Sequence, residues 1–173
     1  GYLHLGHAFS AMFASQTAAQ LGGKMLLRIE DIDRGRCRPE FESAISDNLA
    51  WLGLNWPVPV RRQSEHLADY TAALSQLNEA ELLYPCFCTR AEIKAEIARS
   101  PSAPQGPDGP IYPGTCLGIT PEEAVFRKTH GESFALRLNM AKALRQVGTD
   151  LAFEDATQGI IPADPAKFGD VIL

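Results

Sequence analysis

The sequence predicts an α/β fold that carries a small inserted metal-binding module. Short apolar runs that suit buried strands alternate with segments in which apolar residues recur at helical spacing, and this alternation is typical of α/β sheets. Across residues 84–118 the composition changes, because six prolines and four glycines accompany three cysteines. We therefore expect α/β structure at 1–83, the module at 84–118 and a continuation of the α/β region at 119–173.

The first part of the chain predicts helix, strand and helix in turn. Residues 8–21 form a helix that Gly22 ends, and the apolar run 25–29 suits a strand buried on both faces of a parallel sheet. A second helix starts near Pro39, which a first helical turn tolerates, and stops at Gly53. The residues expected to face the core from these helices are Phe9, Met12, Phe13, Phe41, Ile45, Leu49 and Leu52.

The later elements follow from the same rules. Ser64 is placed to cap a helix that reaches about residue 83, and its apolar stripe consists of Leu67, Tyr70, Leu74 and Leu77. Residues 84–118 contain too little apolar material for a core, so we expect a metal ion to hold them around one short helix at 90–99. A helix starts at Pro121, and strands are expected at 134–138, 151–153 and 170–173.

Length and composition narrow the class of protein. A chain of 173 residues with 45% apolar content can bury one good core, and we expect neither a membrane-spanning run nor a secretory leader. We expect a soluble, cytoplasmic monomer. The net charge of −5 gives no overall attraction to nucleic acid, so RNA would be contacted through local basic patches such as Arg61 and Arg62. The chain lacks an initiator Met and ends in an apolar run, which predicts a piece of a longer protein.

A His-x-Gly-His pattern lies at the predicted start of the first helix. His4 and His7 offer donors for phosphate oxygens, Gly6 lets the backbone approach a nucleotide closely, and a helix start favours anions. The pattern is short and recurs by chance, so two surface histidines or a metal-binding pair remain alternatives.

Acidic residues follow the first predicted strand, in the segment Leu-Arg-Ile-Glu-Asp-Ile-Asp-Arg at 27–34. Open α/β sheets bind ligands at the carboxyl ends of their strands, so Glu30, Asp31 or Asp33 is placed to receive an ammonium group. The alternative is a solvated acidic turn that Arg28, Arg34 and Arg36 neutralise.

Cys86, Cys88, Tyr112 and Cys116 are candidate ligands for one structural zinc ion. Zinc favours thiolates in a tetrahedral set, and four protein ligands leave no position for a reacting water. The C-x-C spacing is tight, and tyrosine is an unusual ligand because its phenol must lose a proton. Three reduced, partly buried thiols are the alternative. Cys37 lies apart from the cluster and is expected to be a free thiol.

Taken in order, the three motifs resemble those of the glutamyl class of class I aminoacyl-tRNA synthetases. The resemblance covers nearly the whole chain and extends to the segments at 51–54, 84–89 and 159–161. Within the class, it is greatest to the shortened branch that lacks an anticodon-binding domain and glutamylates queuosine in tRNA(Asp). It implies a Rossmann-like catalytic domain with an inserted zinc-binding module.

The resemblance also implies roles for particular residues. His4, Gly6 and His7 would grip ATP, with Gly1 in the loop before them, and Glu30 would hold the amino group of glutamate. The zinc ligands would be Cys86, Cys88, Tyr112 and Cys116. The family's other substrate contacts and its phosphate-loop lysine match nothing in residues 1–173, so this fragment alone is expected to be inactive.

The implied reaction joins glutamate to tRNA in two steps. L-glutamate attacks Mg-ATP to give glutamyl-adenylate, and the glutamyl group then passes to the queuosine base of tRNA(Asp). Two alternatives remain: a glutamyl-tRNA synthetase fragment that charges tRNA(Glu), and a non-catalytic, zinc-stabilised RNA-binding module. A zinc hydrolase is disfavoured, because the sequence contains no H-E-x-x-H pattern.

Overall fold

The computed structural model describes residues 1–33, 35–99, 105–148 and 150–173, and it divides into two compact units. Unit 1 is Gly1–Thr71 and unit 2 is Ala72–Leu173. Arg34, which belongs to the acidic segment discussed above, lies outside the described residues. Among the helices that are described, none combines the length and the apolar character needed to cross a membrane.

Unit 1 contains two helices, one pair of strands and a 3₁₀ turn. In chain order these are α1 Leu5–Gln20, β1 Arg28–Ile29, α2 Pro39–Trp51, β2 Arg61–Arg62 and the turn Gln63–His66. β1 and β2 pair in parallel, with Arg28 opposite Arg61 and Ile29 opposite Arg62. The division between the units falls within α3, Leu67–Glu79.

Unit 2 contains three further helices and three antiparallel pairs of strands. In chain order these are β3 Leu83–Cys86, α4 Arg90–Arg99, β4 Gln105–Gly106, β5 Gly109–Pro110, α5 Pro121–Thr129, β6 Ala135–Leu138, α6 Met140–Val147, β7 Ala152–Asp155, β8 Gly159–Pro162 and the 3₁₀ turn Pro165–Phe168. The pairs are β3 with β6, β4 with β5, and β7 with β8.

Several predicted elements are confirmed. α2 begins at Pro39, buries Leu49 and is followed by Gly53, whose φ of 77° requires a glycine-like conformation. α4 spans the predicted residues, and α5 begins at Pro121 behind a Thr120 cap that accepts a hydrogen bond from the Glu123 N–H at 3.2 Å.

The prediction that α1 faces the core is wrong. The helix begins at Leu5, earlier than expected, so Gly6 and His7 lie in its first turn. Phe9 and Phe13 are 70% and 62% exposed, and Met12 is also exposed. The spacing correctly identifies an apolar face, but spacing alone cannot say whether another element covers that face.

The strand at 25–29 is also less buried than predicted. Ile29 is buried, but Leu26 is 79% exposed, and burial alternates along the run between Met25 and Ile29. Alternation of this kind indicates a strand with one covered face. The ladder itself is limited to Arg28 and Ile29.

Ser64 does not cap α3 as predicted. It lies in the 3₁₀ turn, where its hydroxyl donates to Asp31 Oδ2 at 2.6 Å and its N–H donates to Asp31 Oδ1 at 2.8 Å. Both bonds join the segment after β1 to the segment after β2. The stripe on α3 is only half-buried at Tyr70, Leu74 and Leu77, and Leu67 is exposed.

The core of unit 2 lies where the inserted module was expected to have none. Cys86, Phe87 and Cys116 are buried, together with Leu82 and Ala124. The segment at 84–118 was expected to contain too little apolar material to fill a core, and the structure shows that its few buried side chains and thiols gather at one place beside Leu82 and Ala124. The expected strand at 170–173 is reduced to a single bridge between Arg137 and Ile172.

We expect the Asp31–Ser64 contact to make the stability of the protein depend on pH. Hydrogen bonds from the Ser64 side chain and backbone lower the pKa of Asp31 below its ordinary value of 3.8. A carboxylate with a lowered pKa stabilises the fold above its ordinary pKa, and this contribution is lost as the pH falls through the lowered value. Asp31→Asn should therefore lower the urea midpoint near about pH 6 more than near about pH 3.

Asp47→Asn, at an exposed position of α2, is the matched control. It should leave both urea midpoints close to those of the wild type. An equal loss of stability at both pH values in Asp31→Asn would mean that the charge of Asp31 contributes nothing.

Candidate functional site

The His-x-Gly-His segment forms the amino-terminal cap of α1. The His4 Nδ1 atom accepts a hydrogen bond from the Gly6 N–H, and His7 Nδ1 accepts one from the His4 N–H, each at 3.1 Å. The two rings lie 3.9 Å apart between centroids, and both side chains are exposed. This arrangement is a capping box in which imidazoles replace the usual hydroxyl and carboxylate groups.

The cap determines which imidazole atom can meet a ligand. Because Nδ1 accepts an N–H in each ring, a neutral imidazole there has its proton on Nε2. Each ring can therefore donate a hydrogen bond through Nε2 at the start of a helix, where an anion is favoured. A Cβ at Gly6 would lie 3.0 Å from the His4 ring, so a side chain at this position would crowd that ring.

A cleft of about 600 Å³ lies in unit 1 at the carboxyl ends of β1 and β2. Gly1 and Glu30 line it, and so do Asp31 and Ser64. Its charged lining residues carry both signs: Glu30, Asp31 and Glu42 are acidic, and Arg28, Arg36, Arg38 and Arg62 are basic. A cleft with both signs of charge suits a ligand that itself carries ammonium and carboxylate groups.

Glu30, the first residue after β1, pairs with Arg28 of that strand. Its Oε1 atom lies 2.5 Å from Arg28 Nη2, and both side chains are 60% exposed. Asp33 pairs with Arg36 at 2.6 Å, and this hydrogen bond lowers the pKa of Asp33. The acidic turn is thus partly neutralised, as the alternative interpretation predicted. A carboxylate can accept several hydrogen bonds, so Glu30 retains capacity for an ammonium group.

The cleft brings together only part of the predicted substrate site. Of the predicted residues, Gly1 and Glu30 line it, whereas His4, Gly6 and His7 form the cap of α1 in the same unit. Arg62 was predicted only as part of a basic patch. It lies in the cleft, where its Nη1 donates to Glu42 Oε2 at 3.0 Å.

The cysteines of unit 2 converge as predicted. The sulfur atoms of Cys86, Cys88 and Cys116 all lie within 4.8 Å of one another, and those of Cys88 and Cys116 are 3.4 Å apart. Tetrahedral metal–sulfur bonds of about 2.3 Å place sulfurs about 3.8 Å apart. The three thiols can therefore hold one metal ion with small adjustments.

Tyr112 lies at the same cluster. Its Oη atom is 3.3 Å from Cys86 Sγ and 3.7 Å from Cys88 Sγ, close to the separation of about 3.6 Å between oxygen and sulfur ligands in a tetrahedral zinc site. The Cys116 N–H donates to the same oxygen at 2.9 Å. Burial raises the pKa of the Tyr112 phenol, which opposes its ionisation in the absence of a metal.

The thiols differ in how readily they ionise. Burial opposes ionisation of Cys86, but hydrogen bonds with Tyr112 and Arg137 outweigh it and lower the pKa of that thiol to about 7. Burial, reinforced by the neighbouring Cys116, raises the pKa of Cys88 to about 11. A metal needs thiolates, so the Cys86 thiol is better prepared to bind one than the Cys88 thiol.

Helix α4 braces both cysteine segments. Thr89, next to Cys88, donates its N–H and its hydroxyl to Glu92 Oε2 at 2.7 and 2.8 Å. Thr115, next to Cys116, donates its hydroxyl to Glu96 Oε2 at 2.6 Å. Neither contact was predicted, although Thr89-x-x-Glu92 at a helix start is a recognisable capping pattern.

Arg137 was also missed. It is 6% exposed on β6, and its guanidinium carbon lies 3.7 Å from the centre of the Tyr112 ring. An arginine inside the apolar run at 134–138 was the available signal, because a buried charge needs a partner.

The full chain, residues 1–173, matches the family model described as tRNA synthetases class I (E and Q), catalytic domain. The chain belongs to this family. The match confirms the family resemblance predicted from the three motifs.

Two relatives illustrate the similarity within the family. A glutamyl-Q tRNA(Asp) synthetase of Rhodobacter capsulatus is 50% identical over 152 residues, which cover 86% of this chain and 52% of that protein. A glutamate-tRNA ligase of Halorhodospira halophila is 36% identical over 181 residues, which cover 100% of this chain and 36% of that protein. The chain spans about half the length of the glutamyl-Q relatives that it matches.

A solved structure supports the same fold. The glutamate-tRNA synthetase of Elizabethkingia anophelis superposes with a TM-score of 0.74 at 23% identity, over 100% of this chain and 36% of that one. Together with the family match, this similarity establishes the α/β, Rossmann-like fold of the class I catalytic domain.

We expect Cys88→Ser to abolish stoichiometric metal binding. A hydroxyl is a much poorer ligand than a thiolate for a soft tetrahedral site, and the substitution removes one of three clustered sulfurs. Bound metal, measured by elemental analysis after dialysis, should fall from about one equivalent to well below half. Hydrogen exchange should also become faster within residues 84–118.

Cys37→Ser is the matched control, because Cys37 belongs to unit 1 and lies outside the thiol cluster. It should retain the full metal content. Retention of one equivalent by Cys88→Ser would contradict the proposed set of ligands.

Proposed function

We propose that this chain is the core of an enzyme that activates L-glutamate with Mg-ATP and transfers it to the queuosine base of tRNA(Asp). The observation that carries the proposal is the family match over the full chain, together with 50% identity to a glutamyl-Q tRNA(Asp) synthetase. The cleft beside Glu30 supports it, because that cleft offers both signs of charge to an amino acid.

Glu30 is proposed to hold the ammonium group of glutamate. It is the first residue after β1 and lines the cleft. Its ion pair with Arg28 keeps the Glu30 carboxylate beside the strand. Both side chains of the pair are exposed, so a ligand can reach the carboxylate. The contact between Asp31 and Ser64 supports the same wall of the cleft.

His4, Gly6 and His7 are proposed to bind the phosphates of ATP. The Nε2 atoms of His4 and His7 would donate to phosphate oxygens, and Gly6 permits the close packing of the His4 ring that the cap requires. Gly1 is proposed to approach the nucleotide through its backbone, since it is exposed and lines the cleft.

The reaction is proposed to proceed in two steps. A glutamate carboxylate oxygen attacks the α-phosphorus of ATP, and pyrophosphate leaves. A hydroxyl of queuosine then attacks the glutamyl carbonyl, and AMP leaves. Negative charge develops on the phosphorus oxygens in the first step, so donors from His4 and His7 would stabilise that transition state.

Cys86, Cys88, Cys116 and Tyr112 are proposed to hold one structural zinc ion. The spacing of the sulfurs and of the Tyr112 oxygen fits a tetrahedral site, and the lowered pKa of Cys86 favours metal binding. When bound, zinc would fix the ends of the segment at 84–118. It would take no part in the chemistry, because four protein ligands leave no free position.

The main alternative is an enzyme that charges tRNA(Glu). Glutamate-tRNA ligases share the family, and one of them matches the full chain at 36% identity. The higher identity of the glutamyl-Q relative favours the queuosine reaction. The monomeric state and the cytoplasmic location remain predictions.

The acceptor can be identified with the full-length protein, labelled glutamate and ATP. We expect label on queuosine-containing tRNA(Asp) that survives mild hydrolysis of the 3′ ester, and no label on tRNA(Glu). Label on tRNA(Glu) alone would indicate the protein-synthesis enzyme. Label on neither, with no glutamate-dependent pyrophosphate exchange, would favour a non-catalytic RNA-binding module.

Glu30→Gln should weaken the use of glutamate while leaving ATP binding unchanged. Loss of one charge-assisted hydrogen bond costs about 1.5–3 kcal/mol, which corresponds to a fall of roughly 10- to 150-fold in kcat/KM for glutamate. Pyrophosphate exchange at varied glutamate and varied ATP concentrations separates the two substrates.

Glu40→Gln provides the comparison. Glu40 lies in the first turn of α2 near Arg38, at 3.7 Å, and is absent from the lining of the cleft. Its substitution should change neither KM. Equal effects of the two substitutions would assign Glu30 to general surface electrostatics.

A further inference from the structure

Arg137 is buried on the pair of strands β3 and β6, on the same face as a thiol. In the antiparallel ladder Cys86 is opposite Ala135 and Tyr84 is opposite Arg137. Residues directly opposite one another, and residues two apart, share a face of the ribbon. Arg137 and Cys86 therefore share one face.

The Arg137 guanidinium is buried, and its hydrogen bonds leave one of its N–H groups without an acceptor. Its Nη1 donates to the carbonyl oxygen of Asp170 at 2.7 Å, and the guanidinium carbon lies 3.7 Å from the Tyr112 ring centre. Within the described part of the chain, the Nε atom has no hydrogen-bond partner. A buried donor without a partner is rare in folded proteins and calls for an explanation.

The nearby carboxylate is already engaged by other donors. Asp170 Oδ2 accepts from the Tyr84 hydroxyl at 2.6 Å, and Oδ1 accepts from the Met140 N–H at 2.9 Å. Among the ion pairs of the described residues, none involves Arg137. Cys86 of the sulfur cluster lies on the same face of the ladder as Arg137 and carries negative charge as a thiolate.

We propose that Arg137 is a positioning residue of the metal centre, where its guanidinium balances the charge of the thiolates and holds the Tyr112 ring beside them. The inference rests on the metal site of the proposed function. A divalent ion with three thiolates and an ionised Tyr112 carries a net charge of minus two, and one guanidinium halves it. Balance matters here because an uncompensated charge is costly in a buried site.

A residue that only completes the fold would behave differently. Removing it would cost the metal-loaded and the metal-free protein similar amounts of stability. A residue that balances the charge of the metal centre is coupled to the metal, so its removal should cost chiefly the loaded form. Residues just outside a metal's ligands change its affinity by roughly 10- to 100-fold.

The test compares the full-length wild type with Arg137→Met, Arg137→Lys and Arg145→Met. Arg145 is an exposed arginine of α6 in the same unit and serves as the control. Zinc affinity is measured by competition with a chromophoric chelator, and melting temperature is measured with and without one equivalent of zinc. Co²⁺ absorption reports whether the sulfur ligands remain.

We expect Arg137→Met to bind zinc roughly 10- to 100-fold more weakly and to show a smaller zinc-induced rise in melting temperature, with sulfur-to-cobalt bands retained. Arg137→Lys, which keeps the charge, should recover most of the affinity. Arg145→Met should match the wild type.

An unchanged zinc-induced rise in Arg137→Met would overturn the inference and leave Arg137 a structural residue. If Arg137→Met does not fold, Arg137→Lys decides: a loss of affinity below about tenfold supports charge balance, and a larger loss contradicts it. Failure of the wild type to bind zinc at all would instead refute the metal site itself.

Discussion

The convergence of three thiols and one phenol is the constraint on which unit 2 depends. Cys86 and Cys116 are among the few buried side chains of the described residues, and no strand ladder found there joins their two segments. Around them, the ring centres of Phe87 and Phe134 lie 5.8 Å apart, and the Arg127 guanidinium carbon lies 4.2 Å from the centre of the Phe87 ring. The cluster thus serves as a hydrophobic centre as well as a set of ligands, and this explains how a proline- and glycine-rich segment acquires a fixed structure.

Unit 1 uses polar contacts for the same purpose. Its ladder covers only two residues on each strand, so the double hydrogen bond between Asp31 and Ser64 carries much of the connection between β1 and β2. The imidazole cap of α1 is likewise built from the side chains proposed to bind nucleotide. In both places the residues that shape the site also stabilise the backbone that presents it, so substitutions there will change binding and folding together.

The sequence predicted elements whose boundaries have local chemical causes. Pro39 and Gly53 marked α2, and Pro121 marked α5, because backbone restriction acts wherever the fold places these residues. The cysteine cluster was also predictable from spacing, and the family from three ordered motifs.

The burial of apolar side chains was not predictable, because the residues that cover an apolar face are distant from it in the sequence. Phe9 and Leu26 belong to predicted core faces and are exposed. The role of Ser64 was missed for the same reason, since its partner Asp31 lies far away along the chain. The α6 helix was overlooked although Asn139 caps it locally.

The ladder between β3 and β6 has a kinetic consequence. Cys86 and Ala135 pair although they lie about 50 residues apart, and closing a flexible loop of that length costs about 3.5 kcal/mol of chain entropy in its length-dependent part. The hairpin of β7 and β8 turns within a few residues, so it can form on the microsecond scale. Gathering Cys88 with Tyr112 and Cys116 removes about half of the longer loop before β6 arrives. A metal-bound cluster that forms early would therefore shorten the loop that β3 and β6 must close. Its loss would slow the folding of unit 2 as well as loosen the folded state.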